Sequence, residues 1–315
     1  MKRLSRKDLL DLESVGADEI RLILDQAAAF REVALRPVKK VPALRGRTVI
    51  NLFFEPSTRT ATSFHLAAQR LSADVLDIKV MDSSVKKGET LLDTVAAFEA
   101  MDLSVLIMRT AHAGSPALVA GRSKASIVNA GDGMHEHPTQ GLLDLFTLQR
   151  HFGRLDGLNV AVVGDVLHSR VARSDVWGLL KMGASVRLCG PSTLCPQALK
   201  SVWPGAPVTV THDLREALEG ADAVQVLRIQ LERLQRFLFP STREYSRHYA
   251  LTSERLALAK PGCLVMHPGP MNRGLEISSG VADGPQSAIS TQIANGVAVR
   301  MAVLYLLAGN DAEAA

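Results

Sequence analysis

Cysteine is scarce in this sequence. Cys189, Cys195 and Cys263 are the only three in 315 residues. They are too few and too scattered for a disulfide framework or a cysteine-based zinc site, so no metal is expected. Aromatic residues reach only 4%, which argues against the base-stacking platforms of single-strand binders. No window approaches the ~18 uninterrupted apolar residues of a membrane span. The first residues, MKRLSRKDLLDLES, lack the apolar core of a signal peptide. These absences predict a cytoplasmic protein with no membrane partner. Charge of either sign is nearly balanced, Lys+Arg 36 against Asp+Glu 32 for a net +4. That mild basic excess suits an anionic small substrate. With no basic run or recognised motif, nucleic acid is not an expected partner. Fixed-period repeats and low-complexity segments are also missing.

What is present is an alternation of short apolar runs with helical stretches. Hydrophobic residues make up 47% and charged residues 22%, an ordinary globular balance. At ~150 residues per domain the length suggests two domains. Strands are predicted over 48–54, 75–80, 104–108, 126–129, 159–163, 185–189, 208–211, 223–227 and 263–266. Several are continuous apolar runs, as expected of parallel strands buried on both faces. Helices are predicted over 60–71, 90–100, 138–151 and 169–182. The fold class is therefore α/β, with two domains, each a parallel sheet flanked by helices. The turn-rich HFGRLDGL marks a boundary near 152–158. Over 288–308, Ile289, Ile293, Val297, Met301, Leu304 and Ala308 recur at helical steps and predict one buried face. This last helix is expected to pack back on the first domain, giving 1–152 plus 288–308 and 153–287.

Six stretches carry side chains suited to chemistry. In FFEPSTRT, an apolar strand runs into Ser57, Thr58, Arg59 and Thr60 at a helix start. Free N–H groups, hydroxyls and an arginine there suit a phosphate. An ordinary Ser/Thr cap beside a surface arginine fits the stretch equally well. In SSVKKGET, Lys86 or Lys87 could neutralise an anion, although a solvated loop is the simpler account. In NAGDGMHEHPTQ, His135 and His137 invite a metal reading, but no third ligand is in evidence. A neutral His137 with Gln140, donating to or orienting a carbonyl, is the better reading. GDVLHSR has the shape of a nucleotide-binding turn but lacks GxGxxG, keeping only Gly164. Its Arg170 could grip a carboxylate. LRIQ places Arg228 and Gln230 just past a strand, where open α/β sheets bind ligands. HPGPMNRG follows a strand, and its turn can present backbone carbonyls.

Taken in order, these motifs resemble the catalytic chains of the aspartate carbamoyltransferase family over nearly the whole sequence. The resemblance implies transfer of the carbamoyl group of carbamoyl phosphate to the amine of L-aspartate, giving N-carbamoyl-L-aspartate and phosphate, in de novo pyrimidine (UMP) synthesis. It implies no cofactor. It assigns the first domain to carbamoyl phosphate and the second to aspartate. Ser57, Thr58, Arg59 and Thr60 are implied to hold the phosphate, with Arg109 adding a phosphate or carbonyl contact. His137 and Gln140 are implied to address the carbamoyl group, whose NH2 faces the carbonyls of Pro268 and Gly269. Arg170, Arg228 and Gln230 are implied to bind aspartate. Lys87, with Ser83 or Ser84, is implied to reach into a neighbouring subunit's site, which means a homotrimer with shared active sites. Association with dihydroorotase or regulatory chains stays open.

Three positions depart from the family pattern. Ala61 and His65 stand where Arg and Glu are usual, and as i,i+4 partners their joint change reads as loss of one ion pair. Thr110 stands where His is usual. Two alternatives follow. An ornithine or other amino-acid carbamoyltransferase would share the phosphate half, but HPTQ and HPGP replace the HPCQ and HCLP of ornithine enzymes, and no SMG is found. A non-catalytic scaffold subunit is motivated by the three departures, against intact Arg59, Lys87, His137, Arg170 and Arg228.

Overall fold

Two parallel sheets organise the chain. The computed structural model describes residues 4–79, 90–230 and 241–308. Lys87, Ser83 and Ser84 lie outside the described residues. In chain order the elements are α1 (Ala17–Val33), β1 (Thr48–Phe53), α2 (Thr58–Arg70), β2 (Asp74–Lys79), α3 (Leu91–Glu99), β3 (Leu103–Thr110), α4 (Ser115–Ala120), β4 (Ser126–Asp132) and α5 (Pro138–Phe152). There follow β5 (Asn159–Val163), α6 (Arg170–Lys181), β6 (Ser185–Cys189), β7 (Val208–Thr211), α7 (Leu214–Leu218) and β8 (Ala223–Val226). The chain closes with α8 (Thr242–Tyr249), α9 (Ser253–Leu256), β9 (Leu264–Met266), α10 (Ser279–Ala282) and α11 (Ile289–Ala308). The expected strands are all present to within three residues. Helix α1 had not been placed, although its buried Ile20, Ile23, Leu24, Ala27, Phe30 and Val33 follow a helical step.

Two compact units emerge, Met1–Phe146 with Ala294–Ala315, and Thr147–Ile293. The divisions fall within α5 and α11, whereas turn residues mark where the chain leaves α5.

In the first unit a four-stranded sheet has the order β2-β1-β3-β4, with every pairing parallel. The chain moves outward one way from β1 and then the other way from β3, so the topology switches between those two strands. Ligands of open α/β sheets bind beyond the carboxyl ends at such a switch. One core under the sheet joins Ile50, Leu52, Leu106, Met108 and Ile127 to Val95 and Val119 of the covering helices. Helix α2 supports it with Phe64, Ala67 and Ala68. The open edge of β4 is covered by the N-terminal segment. Leu9 N–H donates to the Ile127 carbonyl and Leu9's carbonyl accepts from Asn129 N–H, both at 2.9 Å. Covering an edge in this way removes a template for unwanted strand pairing.

In the second unit five parallel strands take the order β7-β6-β5-β8-β9. The switch lies between β5 and β8. Ala161, Val163, Val224, Val226 and Val265 form its central core with Leu251 and Ile277. Gly164 ends β5 at a φ of +132°, and a Cβ there would lie 3.1 Å from the Leu227 carbonyl oxygen. A glycine is therefore needed for the two strand ends to approach this closely.

Helix α11 departs from the single face expected. Ile293, on that face, is 55% exposed, while Ala298, Val299, Ala302, Val303 and Leu307 off it are buried along with Met301 and Leu304. From Ala298 onward the helix is enclosed within the first unit, so it needs apolar residues on all sides. Its Tyr305 packs edge-on against Phe30 of α1 at 5.6 Å, which places the C-terminal helix on the N-terminal helices.

The N-terminal segment is also held by Glu136, which is 1% exposed and accepts from Leu12 N–H at 2.8 Å and Glu13 N–H at 3.2 Å. Glu136→Ala strips both amides of this acceptor. Urea denaturation is expected to show a loss of about 3 kcal/mol, with Glu136→Gln intermediate. An unchanged midpoint would contradict this anchoring role.

Candidate active site

Ser57 occupies the N-cap position of α2 but makes no side-chain capping bond. Its hydroxyl is thus not spent as a cap, unlike Thr90, Ser169 and Ser241, which accept from amides inside their own helices. Thr58 and Arg59 are exposed beside it and Thr60 is buried. The first turn of a helix presents N–H groups and the positive end of its dipole, a ready site for an anion. Arg109, at the end of β3, donates to the Ala130 carbonyl at 3.2 Å. Its Nε also lies 3.6 Å from Glu55 Oε2. Glu55 precedes the PSTR motif and was given no role from sequence, yet it steers the second cation of the cluster.

The β4-to-α5 turn brings His137 and Gln140 to the same carboxyl edge. Both are buried, and the His137 carbonyl accepts from Gln140 N–H at 2.9 Å and Gly141 N–H at 3.2 Å, so His137 sits at the start of α5. Gln140 Nε2 donates to both carboxylate oxygens of Asp144, at 3.1 and 3.2 Å. Asp144 thereby fixes the orientation of the Gln140 amide, whose carbonyl oxygen is an acceptor suited to an NH2 group. His135 does not join His137 as a ligand pair. It turns to Asp132, with Nδ1 3.1 Å from Oδ2.

A buried cation underlies this half of the site. Arg300 of α11 donates to Ser63 Oγ of α2 at 2.8 Å and lies over the Phe64 ring, 4.9 Å from its centroid. Burial pushes its guanidinium down to about 10, while Asp144 favours the charged form. Gly296 leaves it room, since a Cβ there would sit 2.6 Å from Arg300 Nη1. No local signal marks Arg300, because Ser63 lies 237 residues away in sequence.

In the second unit Arg170 opens α6 and is 5% exposed. The Ser169 hydroxyl caps that helix by accepting from Ala172 N–H at 3.1 Å. The preceding turn is closed by Asp165, whose Oδ1 lies 2.8 Å from His168 Nδ1 and accepts His168 N–H at 3.1 Å. Burial raises the Asp165 carboxyl despite the neighbouring His168. Arg228 and Gln230 follow β8, half-buried on either side of buried Ile229. Pro268 and Gly269 follow β9 and are also half-buried. All the described candidates of this unit thus follow β5, β8 and β9, around the topological switch.

Two of the three departures, His65 and Thr110, have partners of their own. His65 Nδ1 lies 2.8 Å from Asp77 Oδ2 on β2, and Asn51 Nδ2 donates to Asp77 Oδ1 at 2.6 Å. His65 thus joins a pairing between α2 and β2 at the position where an intrahelical ion pair was expected to be lost. Thr110 is buried, and its Oγ1 accepts from His112 N–H at 3.1 Å, closing the turn after β3. Among the described residues no group of three or more His, Cys, Asp or Glu side chains could hold a metal ion.

Comparison with known proteins places this geometry. Residues 7–150 match the family described as aspartate/ornithine carbamoyltransferase, carbamoyl-P binding domain. Residues 156–307 match its Asp/Orn binding domain. The chain is 57% identical over 307 residues to the aspartate carbamoyltransferase catalytic subunit of Moorella thermoacetica, covering 98% of this chain and 99% of the relative. Among solved structures it resembles aspartate transcarbamoylase from Trypanosoma cruzi in complex with carbamoyl phosphate and aspartate. The TM-score is 0.86 and the identity 30%, with 96% of each chain covered. It also resembles ornithine carbamoyltransferase from Pyrococcus furiosus, with TM-score 0.89 and 27% identity over 98% of this chain and 99% of that one.

The Asp132–His135 pair predicts a pH signature in the turn that carries His137. The hydrogen bond to Asp132 raises the His135 imidazole against its partial burial. Burial alone would raise Asp132, but bonds from His135, Gly114 N–H, Asn129 and Glu136 N–H together carry it below its ordinary value. The His135 contribution is fully present below the ordinary imidazole value of 6.5 and fades as pH rises through the raised one. The stability difference between wild type and His135→Asn should therefore shrink on going from acid to alkaline pH in denaturation curves. A difference that grows with pH would contradict the pairing.

Proposed function

The chain belongs to the aspartate/ornithine carbamoyltransferase family, and we infer that it transfers the carbamoyl group of carbamoyl phosphate to the amine of L-aspartate. The products are N-carbamoyl-L-aspartate and phosphate, a step of pyrimidine synthesis. The observation that carries the choice of amine is the 57% identity, over almost the whole of both chains, to an aspartate carbamoyltransferase. Backbone shape does not separate the two amines, since the ornithine enzyme superposes as well as the aspartate enzyme. Side chains do: Arg170 and Arg228 with Gln230 fit two carboxylates better than a cationic amino acid.

The motif resemblance supports a division of labour. The phosphate sits at the start of α2 on Ser57, Thr58, Arg59 and Thr60, with Arg109 beside it. His137 donates to the carbamoyl oxygen and stabilises the charge that gathers there in the tetrahedral intermediate. Gln140, with its amide nitrogen held by Asp144, accepts from the carbamoyl NH2, as do the carbonyls of Pro268 and Gly269. The aspartate amine attacks the carbamoyl carbon, the C–O bond to phosphate breaks, and the departing phosphate takes the amine proton. No protein nucleophile is needed; the protein supplies position and charge. Lys87, outside the described residues, completes the site from a neighbouring subunit in a homotrimer, a reading that rests on the motif resemblance. A cytoplasmic location fits three buried cysteines that are unpaired.

A carbamoyl-transfer assay with aspartate and ornithine offered in turn tests the reaction. Turnover is expected with aspartate, and Arg59→Ala should lower kcat/KM by about 10³-fold. Turnover with ornithine alone would overturn the amine assignment, and full activity in Arg59→Ala would remove Arg59 from the site.

A further inference from the structure

The second unit holds a buried polar cluster that the reaction scheme leaves unused. His267 follows β9 at 2% exposure and Glu276 is fully buried. Gly269 N–H donates to His267 Nδ1 at 2.8 Å. A backbone amide can only donate, so Nδ1 carries the lone pair and the ring proton sits on Nε2. Nε2 lies 3.2 Å from Glu276 Oε1 and donates to it. Asn272 adds two more donors to the same carboxylate, its backbone N–H at Oε1 and its Nδ2 at Oε2, the latter at 3.2 Å. Every group facing Glu276 in these bonds is an N–H, so the carboxyl group serves throughout as their acceptor.

The cluster reaches two functional loops. Through His267 it fixes Gly269, in the turn whose Pro268 and Gly269 carbonyls face the carbamoyl NH2. Through Asn272 it fixes the other loop, because Asn272 Nδ2 also donates to the Ile229 carbonyl at 2.9 Å. Ile229 lies between Arg228 and Gln230 and is anchored in a small core with Leu194, Tyr245 and Leu275. The backbone of His267 is held in turn, its N–H donating to Gln292 Oε1 at 2.9 Å.

We propose that Gly269 N–H and Glu276 together hold His267 in the Nε2–H tautomer, and that Glu276, with His267 and Asn272, acts as a positioning group that sets the HPGP turn and the Arg228–Gln230 loop together. The roles of those two loops rest on the reaction inferred above; the tautomer lock does not. A lost acceptor at the centre of such a cluster leaves several buried donors unsatisfied at once, and each is costly.

The test combines histidine NMR with kinetics on the full chain. Long-range 1H–15N spectra of 15N-histidine-labelled protein, with the His267 signal assigned by its loss in His267→Gln, should show a ring protonated at Nε2 alone. A proton on Nδ1 or a doubly protonated ring overturns the lock. Glu276→Gln places an amide NH2 among N–H donors. It should lower kcat/KM for aspartate about ten- to a hundredfold while Gly269 N–H still keeps the His267 proton on Nε2; wild-type kinetics overturn the proposal. Asn272→Ala covers the case in which Glu276→Gln fails to fold. It should leave the His267 tautomer unchanged and raise the aspartate KM about tenfold, with carbamoyl phosphate KM and kcat near wild type. An unchanged aspartate KM overturns the tie to the second loop. Absence of carbamoyl transfer by the wild type would refute the inferred reaction, while the NMR result would still decide the tautomer.

Discussion

A phosphate and a dicarboxylate can be held only where positive charge and N–H donors face outward from a rigid base. Parallel strands followed by helices supply that arrangement, because each strand end delivers the chain to a helix start whose first amides have no partner inside the helix. In the first unit the candidates follow β1, β3 and β4. In the second they follow β5, β8 and β9. Both sheets reverse their strand order among these strands, at β1/β3 and β5/β8. The site residues scatter across the sequence, but within each sheet they gather at one edge.

The cations and amides at these edges are steered by buried polar neighbours rather than left to solvent. Glu55 lies beside Arg109, Asp144 takes the nitrogen of Gln140, and Asp165 closes the turn that leads to Arg170. Such contacts fix the orientation of the groups they touch, as Asp144 does for the Gln140 amide. Arg300 performs a deeper version of this task. As a buried cation between Ser63 and Phe64, with Asp144 favouring its charge, it ties α2 to the C-terminal helix α11. Two of the three family departures fit the same frame: His65 has an acidic neighbour on β2 and Thr110 closes a local turn.

Much of this was legible in the sequence. Strands buried on both faces read as continuous apolar runs, so the nine strands were found from residues such as Val160, Ala161 and Val162. Motifs at strand ends were visible for the same reason. The contacts that cross the chain were not. Ser63 and Arg300 have no sequence relation that announces a bond. The meeting of His65 with Asp77 depends on the register of β1 against β2. The face of α11 was misread because a helix enclosed on all sides loses the one-sided pattern that periodicity detects, leaving Ile293 exposed where burial was expected. Gln140 and Asp144 lie one turn apart on α5, but no spacing rule specifies which of their atoms meet.

The central claim is that the start of α2 is the phosphate site. Inorganic phosphate titrated into the labelled protein and followed through backbone 1H–15N shifts tests it most directly. Saturable shifts centred on the amides of Ser57, Thr58, Arg59 and Thr60, extending to Arg109 and displaced by carbamoyl phosphate, are predicted. Binding that leaves those amides unmoved, or shifts centred on another helix start, would contradict the account.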